Sequence, residues 1–170
     1  MEIFTYFAYG SNMLTAWLKA RCPGAEAFGI AQAHDYRLAF VKESKADGSG
    51  KATLLRVPGS VVHGALFRIP MNERPKLDRA EGQDYQRDDN FVVAVTDMKV
   101  TTYLAVSSAI NNSLKPYDWY RDLVRAGAKQ HGLPTEYQNQ LATVAADLDP
   151  DATRKSRQKA ISYLEAAGMR

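Results

Sequence analysis

The chain has 170 residues, of which 45% are hydrophobic and 24% are charged, and its formal net charge at pH 7 is +3. These values are typical of a globular domain with a hydrophobic core, and they exclude a disordered chain. With 22 basic and 19 acidic residues, the charge is too balanced to indicate a nucleic-acid partner. We expect a single domain over residues 1–170 whose C-terminal part, from about residue 117, is helical.

Cysteine and histidine usage argues against disulfides and metal sites. The single cysteine, Cys22, excludes an internal disulfide and a thiolate metal site. His34, His63 and His131 lack the short spacing that places two imidazoles on one helix face, so we interpret them as structural or surface residues. No apolar segment is long enough to span a membrane, and residues 1–4 do not resemble a signal peptide. The sequence therefore predicts a cytoplasmic protein without a membrane span.

The first predicted element is a buried strand that ends in a tight loop. Residues 6–9 form an aromatic and apolar run, Gly10 permits a turn, and helical spacing begins near Met13. A strand–loop–helix junction can direct backbone N–H groups and the positive end of a helix toward one point. Proteins bind carboxylates and developing oxyanions in this way. A plain strand-to-helix connection fits the same residues equally well.

Short strands dominate the middle of the chain. Alternating or continuous apolar patterns predict them at residues 35–41, 52–57, 61–69, 91–95 and 100–106. We expect a turn at Pro58-Gly59, and Gly64 indicates a bulge or a close approach to the backbone. Strands early and helices late indicate the α+β class, and this number of short strands favours a closed or nearly closed barrel.

Further helices are predicted after the strand at residues 61–69 and after the last strand. Asn72 is expected to cap a short helix that runs to about Ala80. A helical apolar stripe then includes Tyr120 and ends at His131-Gly132. A second stripe begins at Pro134 and is predicted to include Tyr137, Leu141, Val144 and Leu148. A third helix is predicted over residues 150–167, and its basic residues 154–159 are interpreted as a solvated face rather than a phosphate-binding patch.

Three chemical roles were considered for the opening loop. A nucleophilic Ser11 would need glycine two residues before and after it, where Tyr9 and Met13 stand. A phosphate loop would need further glycines and a lysine, which are absent from this segment. A nest of backbone N–H groups for an oxyanion requires only Gly10 and small polar neighbours.

Glu81 is the best candidate for the proton transfer that an oxyanion site requires. It lies at the end of the short helix, just before Gly82, where apolar surroundings would raise the pKa of its carboxyl group. A solvated surface carboxylate is the alternative interpretation.

Three segments together resemble the γ-glutamylcyclotransferase family. They are residues 6–12, 77–82 and 127–137, and their order and spacing match the family over residues 4–141. The resemblance implies a small mixed β-barrel with flanking helices, and the release of 5-oxoproline from a small-molecule γ-glutamyl substrate without a cofactor. It is compatible with a homodimer. From charge and hydropathy we expect no nucleic-acid and no membrane partner.

The resemblance assigns roles to individual residues. The acid/base glutamate in the family's L-D-x-x-E-G pattern corresponds to Glu81, and Tyr103 and Tyr120 match positions near the family's pocket. The aromatic residue that usually follows the E-G pair corresponds to either Tyr85 or Phe91. The Y-G-S-N loop, which is implied to bind the γ-glutamyl group, corresponds to Tyr9, Gly10, Ser11 and Asn12.

The sequence does not determine the leaving group of the substrate, and it is compatible with several alternative functions. Glutathione-specific relatives resemble the chain less, because they usually have leucine where Asn12 stands. Enzymes specialised for γ-glutamylamines or for γ-glutamyl-protected secondary metabolites share the same motifs. Two non-enzymatic alternatives are a small-molecule binding domain without catalysis and an interaction module based on the basic segment 154–159.

Overall fold

A computed structural model describes residues 1–95 and 97–170 of the chain. The strands are β1 (Ile3–Ala8), β2 (Glu26–Glu43), β3 (Gly50–Pro70), β4 (Tyr85–Val93) and β5 (Met98–Ala105). The helices are α1 (Thr15–Lys19), α2 (Arg74–Glu81), α3 (Asp118–Gln130), α4 (Thr135–Ala142) and α5 (Lys155–Ala166). Short 3-10 turns cover Ser11–Met13, Met71–Glu73 and Ser107–Ala109.

The strands form one mixed sheet in the order β2-β3-β1-β5-β4. Strand β1 runs antiparallel to β3 and parallel to β5, while β2-β3 and β4-β5 are antiparallel pairs. The two edges of the sheet meet at one residue pair, because Gln32 and Ala94 exchange backbone hydrogen bonds of 2.7 and 2.9 Å. The α+β class and the small mixed sheet with flanking helices are confirmed. The sheet is curled rather than closed into a barrel by a continuous ladder, which corrects the predicted barrel.

The hairpin of β2 and β3 is longer than the sequence predicts. Strand β3 continues through Pro58-Gly59, so the predicted turn there is wrong. The extra residues are accommodated by a bulge, since Asp35 adopts a φ of 66° and its Oδ1 accepts a 2.9 Å hydrogen bond from Gly59 N–H. Gly64 marks a close approach and not a bulge: a Cβ atom there would lie 2.5 Å from the carbonyl oxygen of Ala8.

Several predicted boundaries also differ from the structure. Asn72 lies inside a 3-10 turn and makes no capping hydrogen bond, so the predicted cap is wrong although the helix that follows exists. Helix α4 ends at Ala142, and Leu148 is 81% exposed, so the second apolar stripe is shorter than predicted. Strand β4 begins at Tyr85, six residues before the predicted strand, because its first half is polar and carries no apolar alternation.

Helix α3 supports the loop that follows β1. A Cβ atom at Gly127 would lie 2.5 Å from the Cβ atom of Met13, so glycine allows the closest approach of the helix to the loop. The Nε2–H group of His131 donates a 2.7 Å hydrogen bond to the carbonyl of Met13. Gln130 Oε1 accepts a 2.9 Å hydrogen bond from the backbone N–H of Thr15. The third motif, residues 127–137, therefore holds the opening loop in position.

No helix among residues 1–95 and 97–170 is both long and apolar enough to cross a membrane.

Candidate active site

One inner cavity contains every residue that the sequence assigned to a site. Strand β1 and its loop supply four of them, helix α2 supplies one, and strand β5 and helix α3 supply one each. The predicted residues in its wall are Tyr9, Gly10, Ser11, Asn12, Glu81, Tyr103 and Tyr120. Tyr6, Ala52 and Tyr85 complete the wall. Residues up to 114 positions apart along the chain thus meet around one small space.

The opening loop offers backbone donors, but its geometry differs from the predicted one. Gly10 has a φ of −109°, so no left-handed conformation requires glycine there. Space is the reason instead, because a Cβ atom at Gly10 would lie 3.2 Å from the Cβ atom of Ala52. Helix α1 has only five residues and its first N–H is bound by Gln130, so it presents no free helix end. In the described parts of the chain, the N–H groups of Gly10 and Ser11 have no hydrogen-bond acceptor, and both residues line the inner cavity.

Glu81 is connected to the loop by a short hydrogen-bond network. The side-chain amide of Asn12 donates a 3.0 Å hydrogen bond to Glu81 Oε1 and a 3.1 Å hydrogen bond to the hydroxyl of Tyr6. Arg21 Nη1 donates a 2.8 Å hydrogen bond to Asn12 Oδ1, which fixes the orientation of the amide. The network links the carboxylate to the loop at the wall of one cavity. It also orients the side-chain amide of Asn12 so that its NH2 group points at Glu81.

Three tyrosine hydroxyls are held by hydrogen bonds across the cavity. The hydroxyl of Tyr9 donates to the backbone carbonyl of Tyr103. Tyr120 accepts a 3.1 Å hydrogen bond from the backbone N–H of Ala52, and Tyr85 donates a 2.6 Å hydrogen bond to the carbonyl of the same residue. Tyr103 and Tyr120 are both buried, so each is a core aromatic residue and a wall of the cavity at once.

Tyr103 also lies in a second, charged cluster behind Glu81. Its hydroxyl donates a 2.7 Å hydrogen bond to Asp78 Oδ1, and Arg87 Nη1 donates a 2.6 Å hydrogen bond to Asp78 Oδ2. Asp78 precedes Glu81 by three residues on α2, so the two carboxylates lie on neighbouring positions of one helix face. The polar first half of β4, which supplies Arg87, therefore holds Tyr103 through Asp78.

Tyr85 is the aromatic residue after the E-G pair that faces the cavity. Phe91 is buried in the core, where its ring stacks on Phe7 at a centroid distance of 6.1 Å and contacts Tyr36 at 5.2 Å. Tyr85 lines the inner cavity and also a larger, outer one. The structure thus separates the two candidates that the sequence left open.

The outer cavity has a volume of about 530 Å³ and adjoins the inner one. Ser11, Asn12, Glu81, Tyr85 and Tyr120 line both. The remaining wall includes two aromatic residues, Trp17 and Trp119, and four cationic ones, Arg21, Lys42, Lys45 and Lys51. A molecule bound across both cavities would therefore have one end at the loop and the other among cations, with Glu81 between them.

The comparisons with known proteins agree with this geometry. A sequence profile of the AIG2-like family matches residues 61–141. The chain is 33% identical over 152 residues to γ-glutamylcyclotransferase of Homo sapiens and 32% identical over 149 residues to that of Bos taurus. In both cases the match covers 84% of this chain and 79% of the relative. The chain belongs to the γ-glutamylcyclotransferase family.

A solved structure shows the same relationship in three dimensions. The structure of a γ-glutamyl cyclotransferase matches 95% of this chain and 99% of its own length, with a TM-score of 0.83 and 29% sequence identity. YkqA of Bacillus subtilis, with a TM-score of 0.66 and 20% identity, has the same fold over 86% of this chain. The family membership implied by the three motifs is therefore confirmed.

Burial shifts the pKa of Glu81, the candidate acid/base residue. It raises the pKa of Glu81 from 4.5 to about 7, while Arg21, Lys42 and the hydrogen bond from Asn12 oppose the rise. Burial likewise raises the pKa of Tyr120 to about 12 and the pKa of Tyr6 well above its ordinary value. Near neutral pH the cavity thus contains one carboxyl group able to gain or lose a proton, surrounded by neutral hydroxyl groups.

Sequence reasoning missed several residues of the site. The spacing of three residues places Asp78 on the same helix face as Glu81, and this was a usable signal that Asp78 lies near the site. Tyr6 lies inside the opening motif at residues 6–12. Arg21 and Lys42 gave no local signal, because their contacts depend on how separate elements pack. Among the described residues, no group of three or more His, Cys, Asp or Glu side chains could hold a metal ion.

Proposed function

We propose that the chain is a γ-glutamylcyclotransferase that converts a γ-glutamyl amino acid, peptide or amine into 5-oxoproline and a free amine. The observation that carries the proposal is Glu81. It is a partly buried carboxyl group with a pKa of about 7, hydrogen-bonded to Asn12 of a loop whose Gly10 and Ser11 N–H groups have no acceptor among the described residues. A domain that only bound its ligand would gain nothing from a proton-transferring group at that position.

The reaction is an intramolecular acyl transfer. The α-amine of the γ-glutamyl group attacks its own γ-carbonyl carbon, and the new C–N bond closes a five-membered lactam. The bond between the γ-carbonyl carbon and the original amide nitrogen then breaks. An α-amine with an ordinary pKa of about 8 is mostly protonated at neutral pH, so it must lose a proton before it can attack.

Glu81 transfers the proton in both halves of the reaction. As a carboxylate it accepts a proton from the attacking amine, and as a carboxylic acid it donates that proton to the departing nitrogen, which is too basic to leave as an anion. A pKa of about 7 suits both roles, since the group is readily ionised and readily protonated near neutral pH. The net proton count of the enzyme is unchanged at the end of a turnover.

The loop stabilises the tetrahedral intermediate. The N–H groups of Gly10 and Ser11 are free to donate to the oxyanion that develops on the γ-carbonyl oxygen. A well-placed donor of this kind contributes about 3 kcal/mol to transition-state stabilisation. The loop is fixed from behind by α3, so these donors need not reorganise during the reaction.

Tyrosine hydroxyls are placed to orient the γ-glutamyl group. Tyr6 and Tyr120 each accept a hydrogen bond, from Asn12 and from Ala52, and neither donates its own hydrogen to another described residue. Both hydroxyls can therefore donate to the α-carboxylate of the substrate. Holding the amine close to its own carbonyl in this way contributes several kcal/mol through orientation.

The product distinguishes this reaction from hydrolysis and from simple binding. Purified protein is incubated with γ-glutamyl-alanine, glutathione and γ-glutamyl-lysine, and both 5-oxoproline and glutamate are quantified by chromatography. We expect 5-oxoproline without glutamate from at least one of the three. An N-acetylated γ-glutamyl-alanine is the matched control, because its blocked α-amine cannot attack. Release of glutamate, or turnover of the blocked compound, would contradict cyclisation.

A further inference from the structure

Lys42 is a buried cation in the wall of the outer cavity. It lies near the end of β2 and pairs across the hairpin with Lys51 of β3, so two lysine residues occupy directly opposite positions in the ladder. Like charges in this arrangement destabilise a sheet. Only 9% of Lys42 is exposed. The sequence places a cation here at a cost in stability.

The other cations of the outer cavity have partners within the protein. Lys51 donates a 3.1 Å hydrogen bond to Asp47 and lies over the rings of Trp119 and Tyr120, at 4.5 Å from each centroid. Lys45 forms a 3.3 Å ion pair with Asp84 at the rim of the cavity. The guanidinium of Arg21 donates to Asn12.

Lys42 has no such partner. Across residues 1–95 and 97–170, its Nζ atom has no carboxylate within 4 Å and no hydrogen-bond acceptor. Its ammonium group lies 4.9 Å from the centre of the Tyr85 ring, which is a cation–π contact. Because Lys42 lines the outer cavity and has no carboxylate partner of its own, its ammonium group is available to an anion that enters this cavity.

The position of Tyr85 indicates which part of a substrate would meet Lys42. Tyr85 lines both cavities, so the ammonium above its ring lies near their common boundary. In a γ-glutamyl amino acid, the carboxylate of the leaving group is attached to the carbon bonded to the scissile nitrogen. With the γ-carbonyl at the loop and Glu81, that carboxylate falls just beyond the boundary, on the outer side.

We propose that Lys42 is a specificity-determining residue that binds a carboxylate on the leaving group, adjacent to the scissile nitrogen. The inference rests on the proposed cyclotransferase function and assigns to Lys42 the discrimination between a leaving group with a free α-carboxylate and one without. Neutral γ-glutamylamines and amides lack the anion that would pair with Lys42. A hydrogen bond between two charged groups is stronger than one between neutral groups, which is the source of the selectivity.

The test compares two substrates that differ only in this charge. γ-Glutamyl-alanine and γ-glutamyl-alaninamide have nearly the same size, and kcat/KM for 5-oxoproline release is measured for both. In the wild-type protein we expect kcat/KM to be about 10- to 100-fold higher for the carboxylate. Lys42→Met, which keeps the length of the side chain, should reduce this ratio to near one, and Lys42→Arg should preserve most of it.

The ratio isolates leaving-group binding from other effects of the substitution. Loss of Lys42 also changes the electrostatic environment of Glu81, but both substrates use the same carboxylate, so that change cancels. Lys45→Met is the matched control, since Lys45 lines the same cavity while 82% of its side chain is exposed and it is paired with Asp84. The control should retain the wild-type ratio. Lys42→Gln serves as a second neutral variant should the methionine variant not fold.

The outcomes separate the inference from the proposed function. If both substrates give 5-oxoproline and Lys42→Met keeps the wild-type ratio, the inference is overturned while the cyclotransferase function stands. If neither substrate gives product, the proposed function fails. The same ratio is then taken from dissociation constants measured by calorimetry. A Kd ratio that does not change on substitution of Lys42 overturns the inference in that case too.

Discussion

The substitution Glu81→Gln separates the catalytic role of the carboxyl group from its effect on stability. The amide has nearly the same shape, and its oxygen can still accept the hydrogen bond that Asn12 donates to Glu81 Oε1 at 3.0 Å. It cannot accept a proton from the substrate amine. Since a positioned acid/base group contributes about 10² to 10⁴ in rate, we expect 5-oxoproline release to fall by at least about 100-fold.

The same substitution should stabilise the folded protein above neutral pH. The pKa of Glu81 is 4.5 in its ordinary state and about 7 when folded. The neutral form thus contributes stability that is present in full below pH 4.5 and is lost as pH rises through about 7. The difference corresponds to about 3 kcal/mol. Glutamine is neutral at every pH, so the variant should gain up to this amount at pH 8 and almost nothing at pH 4.

Two assays on the same samples test both expectations. Release of 5-oxoproline from γ-glutamyl-alanine is measured at pH 7.5, and urea unfolding is followed by circular dichroism at pH 4 and pH 8. Glu165→Gln is the control, because Glu165 is an exposed carboxylate on α5, outside both cavities. A variant at position 81 that keeps more than a tenth of the wild-type rate refutes the role of Glu81 as the proton carrier. Equal gains in stability at pH 4 and pH 8 refute the raised pKa of Glu81 in the folded protein.

Three further predictions concern the surroundings of Glu81. The pH dependence of kcat/KM should rise through about pH 7 as Glu81 ionises, and it should not fall as the substrate amine loses its proton near pH 8, because the neutral amine is the attacking form; a profile that is flat through pH 7 would argue against Glu81 as the base. Arg21→Met removes a cation that lowers the pKa of Glu81, so the rising limb should move to higher pH, and Arg21→Lys should restore part of the shift. Gly127→Ala should destabilise the protein by about 1–3 kcal/mol in thermal or urea unfolding, because the new methyl group meets the backbone and Cβ atom of Met13, whereas the new methyl group of the control Gly29→Ala meets nothing within 4 Å.

The sequence predicted the centre of the site better than its surroundings. Glu81 and Asn12 are 69 residues apart, yet both lie in short motifs whose residue types have a chemical meaning on their own, and the structure joins them by a 3.0 Å hydrogen bond. Lys42 belongs to no motif. Its position opposite Lys51 follows from the register of a long hairpin, and register is not visible in a single sequence that contains a bulge at Asp35.

Local patterns also predicted some features for the wrong reason. Gly10 was interpreted as a residue that permits a special backbone conformation, whereas its φ of −109° is ordinary and the limiting factor is the neighbouring Ala52. The polar segment at the start of β4 carries no apolar alternation because Arg87 is used to hold Asp78. Where the side chains of a strand contact the site instead of the core, the apolar alternation that would predict the strand is missing.

The support of the opening loop by α3 links activity to the completeness of the chain. The loop is made within the first 13 residues, but the groups that hold it, Gln130 and His131, are more than 110 positions later. During synthesis, the oxyanion donors therefore have no fixed geometry until the whole sheet and α3 have been made. A truncated or partly unfolded chain keeps Glu81 and the Y-G-S-N loop in its sequence but lacks the support that aligns them. The position of the loop in this protein thus depends on residues more than 110 positions later in the chain.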